Sequence, residues 1–490
     1  MKNLFTITRH LPVTQHMGHY GRMLTGLLVA LLTLWSSLSL AQLPPSQRVT
    51  IDLSSGFPGQ NRWLYGKDRD NTANSGVNFD DSSWTPVGIP HGANYLTTFL
   101  NLTSGGGDGE MDGGSNWYRL KFTLGNQYAA NKIMAEFEGA HTGAQVYING
   151  TLLKGITDVT GSANATHVIG FIPFIVDLTP YLKTDGVTPN VLAVHVSRNA
   201  PWFVQPTFSG AFRFGQAEAG LFRPVKMIVS NKVRIPRNIY SNQKTWGTYV
   251  ATQSIVPSNT STAKGNSAVV RVQTNVLNDT TSAQQVTLVT QIADATGKVV
   301  ASAAPVTQTV QPMTAATYPS GPAPMFDQSI TVNDPTLWYP NASTYGKPYM
   351  YKVYHIVSVN GTVVDSTESP LGIRVITWDH DYPYFNGHPA YLSGGSGRYD
   401  YPALGSSVPD EVEWRDLEQF AAAGGNIWRP GHSTTSENFV DAADAYGVMI
   451  VQPSGDGENG FDKAPADSVT YKKELHRDMI IRDRSHPSIL

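Results

Sequence analysis

The sequence predicts a multidomain protein, β through about residue 376 and α/β after it. Three observations carry the prediction. Short stretches that alternate apolar and polar residues, separated by turn residues, fill the first part. After Trp378 the apolar positions instead recur three and four apart, between short apolar runs. The 490 residues suffice for about three domains at roughly 150 residues each, and 45 Gly with 31 Pro supply abundant turns.

Taken in order, Lys2, Arg9 and Arg22 precede the apolar run Met23–Leu34, and Ser39-Leu40-Ala41 follows it with small residues where a signal peptidase reads. Residues 1–41 therefore read as a cleaved export signal, which sends the mature chain to a bacterial periplasm or the cell exterior. The run is shorter than the ~20 apolar residues of a membrane span, so no stable membrane anchor is expected. With no Cys there is neither disulfide nor thiolate chemistry, which suits a large exported enzyme with ordinary cores better than a small stapled scaffold. The net charge of −3 gives no field for drawing in polyanions, and no nucleic-acid partner is expected.

Residues 45–232 read as a two-layer β-sandwich. Val146 and Ile148 alternate with Gln145 and Tyr147 before the hairpin pair Asn149-Gly150, while Leu192, Val194 and Val196 alternate with Ala193, His195 and Ser197. Residues 233–376 have the length of an immunoglobulin-like sandwich. There Val270, Val272, Thr274 and Val276 alternate with Arg271, Gln273 and Asn275, Ser258–Asn266 is a surface loop, and Asn360-Gly361 joins two strands.

Residues 377–490 alternate strand and helix. Strand-like "AYLSGG" precedes a helix from Pro409, with Asp410, Glu411 and Glu413 in its first turn, Trp414, Leu417 and Ala421 on one face, and Gly424-Gly425 as its stop. "NIWRP" is a short strand. The next helix has Thr434 and Glu437 at capping-box spacing, a stripe of Phe439, Ala443 and Tyr446, and Gly447 at its end. "VMIVQ" is apolar throughout, as in a parallel strand covered on both faces. A third helix carries Tyr471, Leu475 and Met479 on one face, Arg482 and Arg484 to complement its dipole, and Pro487 beyond, after which "SIL" opens a fourth strand. Three βα units imply a parallel sheet, open or closed into a barrel.

Several motifs in this order resemble glycoside hydrolase family 2, which includes β-galactosidases, β-glucuronidases and β-mannosidases. "FDDSSWTPVGIPH" (79–91), "NWYRLKF" (116–122), "FEGAHTGAQVYING" (137–150) and "AGLFRPVKM" (219–227) are similar to the family's N-terminal jelly-roll β-sandwich. "DPTLWYPN" (334–341) and "LGIRVITWD" (371–379) resemble the exit of its immunoglobulin-like β-sandwich. "YFNGHPAYLSGGS", "GGNIWRPGH" (424–432) and "RDRSHPSIL" resemble the opening of its (β/α)8 TIM barrel, here an incomplete one of about three βα units against the ~250 residues of a whole barrel.

The resemblance implies hydrolysis of O-glycosyl bonds by a retaining double displacement, which needs two carboxyl groups about 5–5.5 Å apart. In the family both glutamates follow the segment matched by "SHPSIL", so the chain as given is expected to be inactive, with a glycan or glycoside as the whole enzyme's substrate. Arg429 matches the family's carboxylate-steadying arginine, His432 stands where it can donate to a sugar hydroxyl, and Asp400 can accept one. Arg398, Tyr399 and Asp400 replace a histidine found in relatives, and Gln452-Pro453 replaces an acidic residue, which leaves Asp456 and Glu458 without a role. The alternative is a non-catalytic carbohydrate-binding or surface-adhesion protein, with Trp63, Trp84, Trp117 or Trp202 as sugar platforms.

No cofactor or metal is expected. Gly455, Gly457 and Gly460 spell a dinucleotide motif, but Asp456 and Glu458 would repel a pyrophosphate. "DGEMDG" (108–113) imitates a calcium loop with Arg119 at its bidentate position. Asp379-His380-Asp381 lacks a further ligand at metal spacing. Around Ser396, Arg398 replaces the last glycine of a serine-hydrolase elbow.

Overall fold

The computed structural model describes residues 47–67, 71–93, 115–141, 143–155, 164–197, 220–313, 325–397, 401, 404–431, 433–454 and 466–490. The first ten strands are β1 (Val49–Asp52), β2 (Trp63–Gly66), β3 (Thr85–Val87), β4 (Ser115–Phe122), β5 (Lys132–Phe137), β6 (Gly143–Ile148), β7 (Thr151–Leu153), β8 (Phe174–Asp177), β9 (Asn190–Ser197) and β10 (Val225–Ser230). They form two antiparallel sheets in the orders β1-β10-β5-β8 and β3-β2-β4-β9-β6-β7. The period-2 pattern sends Val146, Ile148, Leu192, Val194 and Val196 of one sheet against Ile133, Ala135, Phe137, Met227 and Val229 of the other.

The outer face of the larger sheet is covered too. Trp117 is fully buried and stacks on His195, with ring centroids 4.4 Å apart. Trp63 is equally buried and donates Nε1–H to the Leu53 carbonyl at 2.7 Å. Neither tryptophan is a sugar platform, because alternate strand residues face packed protein on both sides. Trp84 is half-buried, edge-on to Phe79, and Trp202 lies outside the described residues.

The next ten strands are β11 (Val233–Arg234), β12 (Thr248–Pro257), β13 (Gly265–Thr274), β14 (Leu277–Asn278), β15 (Gln284–Ala293), β16 (Val299–Ser302), β17 (Val306–Val310), β18 (Phe326–Asn333), β19 (Tyr351–Val359) and β20 (Thr362–Leu371). β12-β13-β18 faces β16-β15-β19-β20, where β15 also holds β17. Asn360 and Gly361 turn from β19 to β20 with φ of 50° and 78°, as Asn149 and Gly150 do from β6 to β7 with 51° and 81°, the left-handed pair a two-residue hairpin needs.

The last part has β21 (Ile376–Trp378), β22 (Pro383–Phe385) and β23 (His388–Pro389), then β24 (Gly394–Gly397), α1 (Asp410–Ala422), β25 (Ile427–Pro430), α2 (Glu437–Tyr446), β26 (Met449–Ile450) and α3 (Ala466–Asp483). β24, β25 and β26 are parallel and adjacent in chain order, and Ile489 makes a parallel bridge to Ile450. β24 starts later than "AYLSGG" suggests, for Tyr391 stands exposed. Gly394 is obligatory there: a Cβ would lie 1.7 Å from the Ile427 carbonyl oxygen. β26 is covered on both faces, with Met449 in the core of the second sandwich and Ile450 among Leu417, Phe439, Ala442 and Ala443 of α1 and α2.

Two expectations about the helices are corrected. Thr434 does not cap α2, since the helix begins later: Ser436 Oγ accepts the Phe439 N–H at 2.9 Å, and Thr434 donates to the Pro453 carbonyl. Arg482 and Arg484 do more than complement a dipole. Arg482 is buried against Asp483, and Arg484 donates to the Trp246 and Thr248 carbonyls. Leu475 and Met479 of α3 pack on Ala165, Val168, Ile169 and Ile172 of the first sandwich; the Tyr471 side chain lies outside the described residues.

One interior group makes stability depend on pH. His355, fully buried on β19, contacts Thr274 Oγ1 through Nδ1 at 2.8 Å and Ser369 Oγ through Nε2 at 3.0 Å, and burial pushes its pKa down to about 3. In the unfolded chain it titrates near ~6.5, so its contribution to stability is present above that pH and lost as pH falls toward the folded value. His355→Gln is expected to flatten the loss of unfolding free energy between about pH 6.5 and 4 by on the order of 2 kcal/mol in urea titrations. An unchanged slope contradicts this.

Candidate active-site wall

β24, β25 and β26 end on the same side, so the segments that follow them share one face. Ser396 pairs with Arg429 across β24 and β25. Gly397 permits that approach, because a Cβ there would meet the Trp428 ring at 2.3 Å, and Gly431 N–H donates to the Gly397 carbonyl at 2.6 Å. Arg429 thus stands at the end of the second parallel strand, exposed, as the sequence implies. His432, Asp400, Asp456, Glu458 and the 108–113 loop lie outside the described residues.

Behind Arg429 a buried polar network joins the loops after β25 and β26. Ser433, Thr434 and Thr435 are almost wholly buried, so their backbone groups need protein partners. Arg482 supplies one, donating Nη1–H to the Thr435 carbonyl at 2.7 Å. Its other side forms a fork with Asp483, Nε to Oδ1 at 2.5 Å and Nη2 to Oδ2 at 2.8 Å, the bidentate geometry that suits a desolvated pair. Gln452 completes the link, donating Nε2–H to Asp483 Oδ2 at 3.0 Å and to Thr435 Oγ1 at 2.8 Å.

An amide at position 452 has a physical reason. A carboxylate in its place would face Asp483 without an amide N–H to offer. The first sandwich reaches the same loops through Arg223 of "LFRP", which donates to the Phe171 carbonyl at 2.8 Å and the Thr434 carbonyl at 2.7 Å. At the start of α2, Glu413 accepts from Ser436 Oγ at 2.5 Å and Asn438 Nδ2 at 2.9 Å, and burial raises its pKa.

Sequence reasoning missed Arg223, Gln452, Arg482 and Asp483 as a unit. Only their presence within the quoted motifs hinted at it, for no spacing rule joins residues 223, 435, 452 and 482. Asp379-His380-Asp381, in contrast, forms a turn: Asp379 accepts the N–H groups of Asp381 and Tyr382, both at 2.8 Å, and the Tyr384 hydroxyl at 2.5 Å.

Two β-sandwiches are thus followed by parallel βα units, with polar loops gathered at the strand ends. Comparison with known proteins shows what this chain is similar to. Residues 248–374, from β12 to just past β20, match the model of Glycosyl hydrolases family 2. The chain is 32% identical over 421 residues to a β-glucuronidase of Formosa agariphila, an overlap of 84% of this chain and 39% of the relative. It is 28% identical over 426 residues to the β-galactosidase BoGH2A of Bacteroides ovatus, covering 84% and 43%. A solved family 2 β-glucuronidase superposes with a TM-score of 0.76 at 29% identity, over 91% of this chain and 43% of that one. The chain is thus similar to members of glycosyl hydrolase family 2, and it spans about two fifths of the length of these relatives.

The network predicts a measurable cost. Removing one partner of a buried ion pair leaves the other charge uncompensated, at about 3–5 kcal/mol. Arg482→Met is therefore expected to lower the unfolding free energy by about 3 kcal/mol in urea titrations, whereas Arg415→Met, which breaks an exposed pair with Asp416, stays within about 1 kcal/mol of the parent. Equal effects of the two contradict the assignment.

Proposed function

We propose that this chain supplies the two β-sandwiches and the first three strands of the (β/α)8 barrel of a retaining glycoside hydrolase. The observation that carries this reading is the run of three parallel strands, adjacent in chain order and ending on one face, in a chain related along most of its length to β-glucuronidases and a β-galactosidase. Barrel enzymes place their chemistry at that face. Arg429, His432 and Asp400 form one wall of the substrate pocket, with Arg429 holding a carboxylate and His432 and Asp400 meeting sugar hydroxyls. The acid/base and nucleophilic glutamates, about 5–5.5 Å apart in a retaining enzyme, come from the part of the family's barrel that follows "SHPSIL". The substrate is a β-glucuronide or β-galactoside, met in the periplasm or outside the cell after removal of residues 1–41.

The carbohydrate-binding alternative is disfavoured by Trp63 and Trp117, which sit in packed interior rather than on a platform. Assays with aryl β-glucuronides and β-galactosides test the proposal. Residues 1–490 alone should release aryl product no faster than a blank, and measurable turnover by them contradicts the placement of both glutamates elsewhere. Within an active enzyme carrying this wall, Arg429→Met should lower kcat/KM by at least tenfold; an unchanged value removes Arg429 from the pocket.

A further inference from the structure

Away from the strand-end face lies a cavity of about 470 Å3 between the second sandwich and α2. Asp441, Asp444 and His486 line one side of it. Asp441 and Asp444 are three apart on α2, so they project from one helix face. His486 comes from the turn after α3, 42 residues beyond Asp444, a separation that no metal-spacing pattern in the sequence would flag.

We propose that Asp441, Asp444 and His486 form a divalent-cation site suited to Zn2+, with the cavity supplying water as the fourth ligand. The donor atoms of the three side chains all lie within 4.8 Å of one another. His486 Nδ1 is 2.7 Å from Asp444 Oδ2 and 3.8 Å from Asp441 Oδ1. Those distances bracket the ~3.4 Å between ligands of a tetrahedral ion with bonds of about 2.0–2.1 Å. A proton between Nδ1 and Asp444 holds the pair together, and the cation takes its place while the proton leaves to solvent.

The supporting shell is built. Asp444 is 1% exposed and His486 6%. Asp444 Oδ1 accepts the Ser488 N–H at 2.9 Å, which orients that carboxylate, and the backbone N–H of His486 donates to the Asp483 carbonyl at 3.0 Å, which fixes the turn that carries the imidazole. Asp441 has a side-chain exposure of 51% and faces the cavity, leaving room for water. Of the nearby cations, Arg237 is matched by Glu136 and Glu437, Arg482 by Asp483 and Lys352 by Glu368, while Arg374 offsets part of the charge of Asp444, so two aspartates with a neutral imidazole leave the site net negative.

The site sits toward the C-terminal end of α2, opposite the face where a barrel does its chemistry. Its role is therefore to clamp. The Asp444 carbonyl already accepts the indole N–H of Trp338 from the second sandwich at 3.0 Å, so an ion there ties α2, the turn after α3 and that sandwich together.

Calorimetric titration of ZnCl2 into the chelator-treated chain tests this. One saturable site is expected, with affinity reduced at least tenfold in Asp441→Asn and unchanged in His380→Ala, which removes the exposed His380–Asp381 pair. Asp441 is half-exposed, so its variant is expected to fold, and circular dichroism checks that. Absence of saturable heat, an affinity unchanged in Asp441→Asn, or loss in His380→Ala would overturn the site.

Discussion

The buried fork between Arg482 and Asp483 is the constraint on which the strand-end face depends. Two neighbouring residues at the end of α3 form the pair, so it adds little by closing chain; its value lies in what the guanidinium does with its remaining donor. By reaching the Thr435 carbonyl it ties the helix to the loop after β25, and through Asp483 it holds Gln452 and so the segment after β26. A desolvated ion pair is a poor source of net stability but a strong source of register, because nearly every displacement strands a charge. Loops that must present side chains to a substrate need that quality more than they need extra burial.

The sandwiches serve the same end from the outside. Arg223 of the first reaches the Thr434 carbonyl, Arg237 joins Glu136 to Glu437 of α2, and Arg374, leaving the second, donates to the Pro487 and Ile489 carbonyls. Asn341 donates to the Ala421 and Gly425 carbonyls at the end of α1. The apolar core is likewise shared, since Met449 of β26 belongs to the cluster formed by Val270, Val353 and Trp338. In these contacts the two β layers act as a frame that fixes where the parallel strands end.

Much of this fold was legible because its signals are local. Alternation found β9 and β13, Asn-Gly pairs found two hairpins, and Gly447, with φ of 72°, closed α2 where a glycine was needed. The shifted N-cap shows the limit: Thr434 and Ser436 are equally good capping residues, and only the pull of Pro453 on Thr434 decides between them. The place of Arg429 at a strand end was legible from a motif, while the network behind it was not. Arg223 reaches the Thr434 carbonyl across 211 residues and Gln452 reaches Asp483 across 31, and neither periodicity nor spacing encodes such tertiary contacts. The tryptophans failed for a related reason, since a strand pattern shows which residues share a face but not whether a second layer covers it.

Hydrogen–deuterium exchange in Asp483→Asn, read on peptides spanning 428–436 and 449–454, tests the dependence of the strand-end loops on the buried fork most directly. Exchange should accelerate in both peptides together while peptides from β4 and β9 keep the parent rate. Acceleration confined to α3, or no change in either loop, would contradict it.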